Sequence, residues 1–161
     1  MTSKINVILF DKAIELMSEE YNLEVWSLTK TGEGNFIKNF GEEVGTFFIN
    51  HSYHSGWRFG NNVFSQVYML HKLNFMPQNK EIYKKGYYII GTGLNEDPIV
   101  LNTNTWTIGY LDSDLFYRTE EATFEDSFVD TGLDLGTFYY RSLVESNDFY
   151  GRASDVKKLL K

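Results

Sequence analysis

The spacing of apolar positions changes twice along the chain, and the changes mark out its elements. From Lys4 to about Glu20, Ile5, Leu9, Ala13, Leu16 and Met17 recur at helical spacing and make one apolar face, with Ser3 standing where an N-cap belongs. Leu23, Val25 and Trp26 open like a strand. Thr29 to Asn35, with Gly32 and Gly34, reads as a turn or loop. Val44, Phe47 and Phe48 place a short helix over Glu42 to Asn50, although Gly45 costs it about 1 kcal/mol relative to Ala. His51 to Gly56 reads as a loop. Trp57, Phe59, Val63 and Phe64 then bring apolar groups back around Gly60-Asn61-Asn62. Ser65 is placed to cap a short helix through Leu70 or Leu73, and Asn74 to Asn79, with Pro77, is a break.

In the middle of the chain the pattern turns β-like. Tyr87 to Ile90 is one strand, ended by Gly91-Thr92-Gly93 and followed by the turn residues Asn95-Glu96-Asp97-Pro98. Ile99-Val100-Leu101 is a second strand. Trp106, Ile108 and Tyr110 alternate with Thr105, Thr107 and Gly109 in a third, so short connections predict an antiparallel meander. Helical spacing returns at Leu135, Phe138, Tyr139 and Leu143, behind a candidate capping box at Thr131 and Asp134. A last short helix is expected from Ser154, with Val156, Leu159 and Leu160 on one face and Lys157, Lys158 and Lys161 toward its C-terminal end. Helix, helix, strands, helix predicts an α+β fold. A single, mostly antiparallel sheet would have helices packed at its N- and C-terminal ends, in one domain over residues 1–161.

Composition supplies the material for a core. Of 161 residues 42% are hydrophobic, and the aromatics alone comprise 13 Phe, 11 Tyr and 3 Trp, so whole-chain disorder is a poor reading. There is no cysteine, which excludes disulfides, thiolate metal sites and a cysteine nucleophile. No apolar run approaches the ~20 residues of a membrane span, and none at the start resembles a signal-peptide core, so a cytoplasmic protein with no membrane contact is expected. A net charge of −7 argues against nucleic acid as a partner and suits a basic protein partner, or else serves solubility alone.

Candidate chemistry is sparse. His51-x-x-His54 offers two nitrogens in an expected loop with no third ligand, so no metal is expected. Gly91-x-Gly93 follows a strand as a phosphate loop does, but a turn and another strand come next, where a phosphate site needs a helix; the glycines are expected to shape the turn. No nucleophile elbow, zinc-protease motif or triad spacing occurs, and neither catalytic residues nor cofactors are expected.

Charge is concentrated in one place. From Asp112 to Asp134 lie eight carboxylates (Asp112, Asp114, Glu120, Glu121, Glu125, Asp126, Asp130 and Asp134) against one base, Arg118. That segment carries the whole net charge and leaves the remainder neutral. Phe116, Tyr117, Phe124 and Phe128 are interleaved. Acid with exposed rings suits the grip on a basic protein; a solvated loop whose rings belong to the core has the same composition.

The block from Tyr88 to Leu101, an apolar strand ending in Ile90-Gly91, a turn with Gly93 and Asp97, and the strand Ile99-Val100-Leu101, resembles the SUKH superfamily of Smi–Knr type. Ile108-Gly109-Tyr110-Leu111-Asp112 matches the family's third strand leading to an Asp. Val63-Phe64-Ser65-Gln66-Val67 is similar to its entry into a short helix, with Gln66 where an acidic residue is common. Ser127-Phe128 and Leu135-Gly136-Thr137-Phe138 are similar to its closing segment. The resemblance covers roughly residues 36 to 146; Gly41-Glu42-Glu43 stands where the family usually opens its second helix with Leu-Pro. It implies a non-catalytic α+β domain and, in bacteria, an immunity protein that neutralises a cognate toxin domain, often a nuclease or nucleic-acid deaminase. Asp112, Asp114, Glu120, Glu121, Glu125 and Asp126 are the expected partner-binding residues. The alternatives are a regulatory or scaffold protein on the same fold, and a small-ligand protein with a pocket among Trp57, Tyr88 and Trp106.

Overall fold

The computed structural model describes residues 7–20, 30–50, 57–65 and 67–159. Ser3, the Leu23–Trp26 segment, His51, His54 and Leu160 lie outside them. The fold is α+β. Three helices, α1 (Val7–Glu20), α2 (Lys30–Phe40) and α3 (Glu42–Asn50), precede a hairpin of β1 (Trp57–Phe59) and β2 (Asn62–Phe64). Helices α4 (Val67–Asn74) and α5 (Lys80–Lys84) lead to β3 (Tyr87–Thr92), β4 (Pro98–Asn102) and β5 (Thr107–Leu111). Two short helices, α6 (Ser113–Arg118) and α7 (Phe124–Ser127), come before β6 (Phe128–Asp134), and α8 (Leu135–Glu145) and α9 (Ala153–Leu159) close the chain. The strands form one antiparallel sheet whose spatial order, β1-β2-β3-β4-β5-β6, is the order of the sequence.

Both faces of that sheet are covered. The larger cluster joins Ile90, Ile99, Leu101, Ile108 and Tyr110 to Phe10, Phe36, Phe48, Leu135, Phe138 and Val156 from the helices. Alternate strand residues point the other way. There Ile89, Val100 and Leu111 meet Ile82 of α5 and Phe124 of α7, with Tyr87, Phe116 and Phe128 packed around them. Burying both faces explains why β4 is apolar without alternation: Pro98 to Leu101 are all buried.

Several elements depart from the sequence expectation. Residues 30–40 are helical despite Gly32 and Gly34. Phe36 and Phe40 stack at 4.4 Å and are buried, and tertiary burial of this kind outweighs weak helix propensity. Gly45 has a packing reason, since a Cβ there would stand 2.9 Å from Ile37 Cα. The buried face of α1 keeps Ala13 and Met17 from the predicted stripe and adds Phe10, while Leu9 and Leu16 are only half-buried. Thr131 and Asp134 are no capping box: Thr131 lies in β6, and Asp134 alone caps α8 by accepting from Thr137 N at 2.8 Å. The predicted three-strand meander is the centre of six strands, and Leu159 of α9 is exposed.

Buried amides supply backbone partners where strand pairing stops. Beyond the short pairing of β2 with β3, Asn74 takes over. Its Oδ1 accepts from Ile89 N at 2.6 Å and its Nδ2 donates to Ile89 O at 2.9 Å. Asn62 donates to Tyr150 O at 2.9 Å, and the Tyr110 hydroxyl donates to Asn62 Oδ1 at 2.7 Å. A buried amide so satisfied is stabilising, and one left open is costly.

The second face has no room to spare at Gly109. A Cβ there would fall 2.4 Å from Phe128 Cε2 and 2.6 Å from Val129 O. Gly109→Ala is therefore expected to lower the unfolding free energy by about 1–3 kcal/mol through overpacking. Urea denaturation reads this as a lower midpoint at unchanged slope; an unchanged midpoint would show that the ring moves aside freely.

Candidate protein-binding surface

The acidic segment is built outward from the β3–β4 turn. After β3, Gly93 brings the chain against the segment before α9, where a Cβ would lie 2.1 Å from Gly151 O; Leu94 N donates to the same carbonyl at 2.5 Å. The Gly91–Gly93 pair therefore serves a close backbone approach. It is followed by a single 3-10 turn, Leu94–Glu96, and then β4, as the turn reading expects. In that turn Asn95 and Glu96 both hold φ of 59°, and Asp97 points inward, 2% exposed.

Asp97 fixes two helices at once. Its Oδ1 accepts from Ser113 N, at the start of α6, at 2.9 Å, and its Oδ2 accepts from Ala153 N, at the start of α9, at 2.8 Å. The N–H groups of a first helical turn have no partner within the helix, so a carboxylate there completes both starts. The neighbours extend the joint. Ser113 Oγ donates to Asn95 O at 2.8 Å, and Asn95 Nδ2 donates to Asp114 Oδ2 at 3.1 Å.

The six expected partner-binding residues share the α6–α7 layer but hold different posts. Asp112 is the N-cap of α6, accepting from Asp114 N and Leu115 N, and is half-buried beside Lys157 Nζ at 3.1 Å. Asp126 completes a capping box with Thr123, whose backbone N–H holds its carboxyl below the ordinary range. Asp114 pairs with Arg118 at 2.6 Å. Glu125 pairs with Lys85; that hydrogen bond lowers the Glu125 pKa and raises the Lys85 pKa. Glu120 and Glu121, in the turn between the helices, are exposed and make no hydrogen bond or ion pair among the described residues.

The rings of the segment mostly face the sheet. Phe124 is buried, stacks on Phe128 at 5.3 Å and approaches Tyr87 at 4.8 Å; Phe116 is half-buried against Phe124. The segment is no loop, since it forms α6, α7 and β6, and its rings pack toward the sheet beneath a charged exterior. Tyr117 is the exception at 41% exposed, and its hydroxyl donates to Asn79 Oδ1 at 2.6 Å. Trp106 is buried edge-on against Phe47 at 5.2 Å, and Tyr88 is tied to Phe40 O.

Sequence reasoning missed Asp97, Asn62 and Asn74. Asp97 sat in a run already explained as turn chemistry, and the amides carried no pattern. The available signal for the α6–α7 layer was the unbroken apolar character of β4, which demands cover on both faces.

No family model, no curated protein and no solved structure matches this chain. No helix among the described residues is long and apolar enough to cross a membrane.

Two tests follow from this geometry. Asp97→Asn replaces one acceptor with a donor facing an N–H, and is expected to cost about 1–3 kcal/mol of unfolding free energy. An unchanged urea midpoint would remove Asp97 from its role. Although Tyr117 as a whole is exposed, its hydroxyl is turned in against the buried Asn79, and this desolvation pushes the phenol from its usual 10.0 up to about 12. The folded state thus keeps this proton longer than the unfolded one, so the contribution is intact below pH ~10 and is lost as pH rises toward ~12. The stability gap between the parent and Tyr117→Phe should narrow across that window; a constant gap would refute the assignment.

Proposed function

We propose that this chain is a non-catalytic protein-binding domain that neutralises a basic toxin domain through the outer surface of α6 and α7. The observation that carries the proposal is the exposure of Asp114, Glu120, Glu121, Glu125 and Asp126 on one layer whose rings are anchored to the sheet. A charged surface on a firmly seated layer meets a partner without first ordering itself, which favours affinity. Its field also speeds encounter with a positively charged partner. The resemblance to the SUKH superfamily supports the immunity role, and a nuclease or deaminase, with a basic channel for its phosphate-bearing substrate, is the complementary target.

The direct experiment is co-expression of the toxin domain encoded beside this gene, with and without the chain, scoring survival and co-purification. Survival with a stable complex supports the proposal; death with no complex removes it. Glu120 and Glu121 give the cleanest probe of the surface, because neither supports the fold. The Glu120→Lys, Glu121→Lys double variant should slow association by about tenfold or more at low salt, leave dissociation nearly unchanged, and lose its effect as salt rises. Unaltered association kinetics in stopped-flow would move the interface elsewhere.

A further inference from the structure

We propose that a second groove, between the Pro77–Asn79 turn and α5, docks an acidic segment of a partner protein that carries an apolar anchor. This goes beyond the toxin-binding proposal and does not depend on it. The groove encloses about 400 Å3, walled by Phe75, Met76, Pro77 and Tyr83, with Lys80 and Lys84 on its rim. Phe75 is 37% exposed, although its ring is held edge-on to Phe40 at 5.5 Å and to Tyr83 at 4.7 Å.

The walls are preformed. Asn74, at one end, is locked to the backbone of Ile89. Asn79, at the other, donates to Leu73 O at 2.7 Å and accepts from Tyr117. An apolar concavity whose backbone is pinned on both sides gives an incoming side chain a site at little ordering cost.

Charge selects the occupant. Lys80 and Lys84 stand at i and i+4 of a five-residue helix, a spacing at which like charges repel, and neither forms an ion pair among the described residues. Lys72 and Lys85 are also exposed, Lys85 in its pair with Glu125, and Glu81 is the one carboxylate between residues 72 and 85. This is a basic patch on a chain of net charge −7. Carboxylates flanking an apolar anchor would relieve the repulsion while the anchor fills the groove and the lysine stems cover it. A nucleic acid fits less well. Glu125, paired to Lys85, brings the acidic α6–α7 surface to the edge of the patch, so a continuous run of phosphates would be carried onto that surface, whereas carboxylates confined to the two sides of one anchor stay beside Lys80 and Lys84.

The test uses a fluorescein-labelled synthetic peptide with a central tryptophan–leucine pair between runs of aspartate and glutamate. Three controls accompany it: the same peptide with two central alanines, the same peptide with lysine flanks, and a single-stranded oligothymidylate. Fluorescence anisotropy on the full chain should show binding of the first probe alone, with amide shifts centred on Phe75, Met76 and Tyr83. The Lys80→Glu, Lys84→Glu variant, altered only on the surface, should weaken that probe by about tenfold or more, bind the lysine-flanked peptide instead, and melt as the parent does. Phe75→Ala should weaken the acidic probe too; if it fails to fold, the charge-reversal pair alone decides. Absence of binding, equal binding of the alanine-centred peptide, preference for the oligonucleotide, or shifts elsewhere would each overturn the proposal.

Discussion

A buried carboxylate must be surrounded by donors, and Asp97 takes its two from helices that belong to different layers. Ser113 opens α6, which helps cover one face of the sheet, and Ala153 opens α9, whose Val156 lies in the cluster on the other. Burying a charge is expensive unless it is fully hydrogen-bonded, and the first-turn N–H groups of two helices are strong donors that need an acceptor themselves. Each group therefore removes a cost that the other would otherwise carry. Asn95 and Glu96 hold left-handed backbone in the β3–β4 turn immediately before Asp97, which faces inward. The position of the acidic layer follows from that joint, as does its separation from the larger core.

The same economy recurs where the sheet ends. A short β2 leaves part of β3 without a strand neighbour, and the Asn74 side chain replaces that neighbour with a donor and an acceptor in one amide. Asn62 does likewise for the Tyr150 carbonyl and the Tyr110 hydroxyl, whose pKa burial drives far up. These groups accept few alternative geometries, so they set register more sharply than the surrounding aliphatic and aromatic packing does. Asn74 also lines the basic-rimmed groove, so the amide that holds the sheet edge holds one end of that concavity as well.

What could be read from the residues follows from how local the determining forces are. Strands β3, β4 and β5 were legible because alternation, β-branched residues and turn chemistry lie close together, and α3 and α8 because a few rings at helical spacing suffice. Helix α2 was not, since its glycines speak locally against a helix that Phe36 and Phe40 stabilise from a distance. Strand β6 was hidden by Asp130, Thr131 and Gly132, which form an irregularity opposite Ile108 and Gly109. At the acidic surface the carboxylates were found by composition alone. Which of them are caps, which are paired and which are unengaged depended on Lys85, Asn95, Arg118 and Lys157, three of them outside the segment.

Because spatial and sequence order coincide across all six strands, every sheet pairing closes a loop no longer than the helices inserted between neighbours. Loop-closure entropy is therefore modest throughout the sheet, and low contact order of this kind favours rapid assembly. Helix α1 is different, for its packing partner α8 lies at the far end of the chain. The meander and its α6–α7 cover can form from contacts among themselves, and α1 can dock only once α8 has taken its place. On a ribosome, that order leaves α1 without its seat until α8 has emerged.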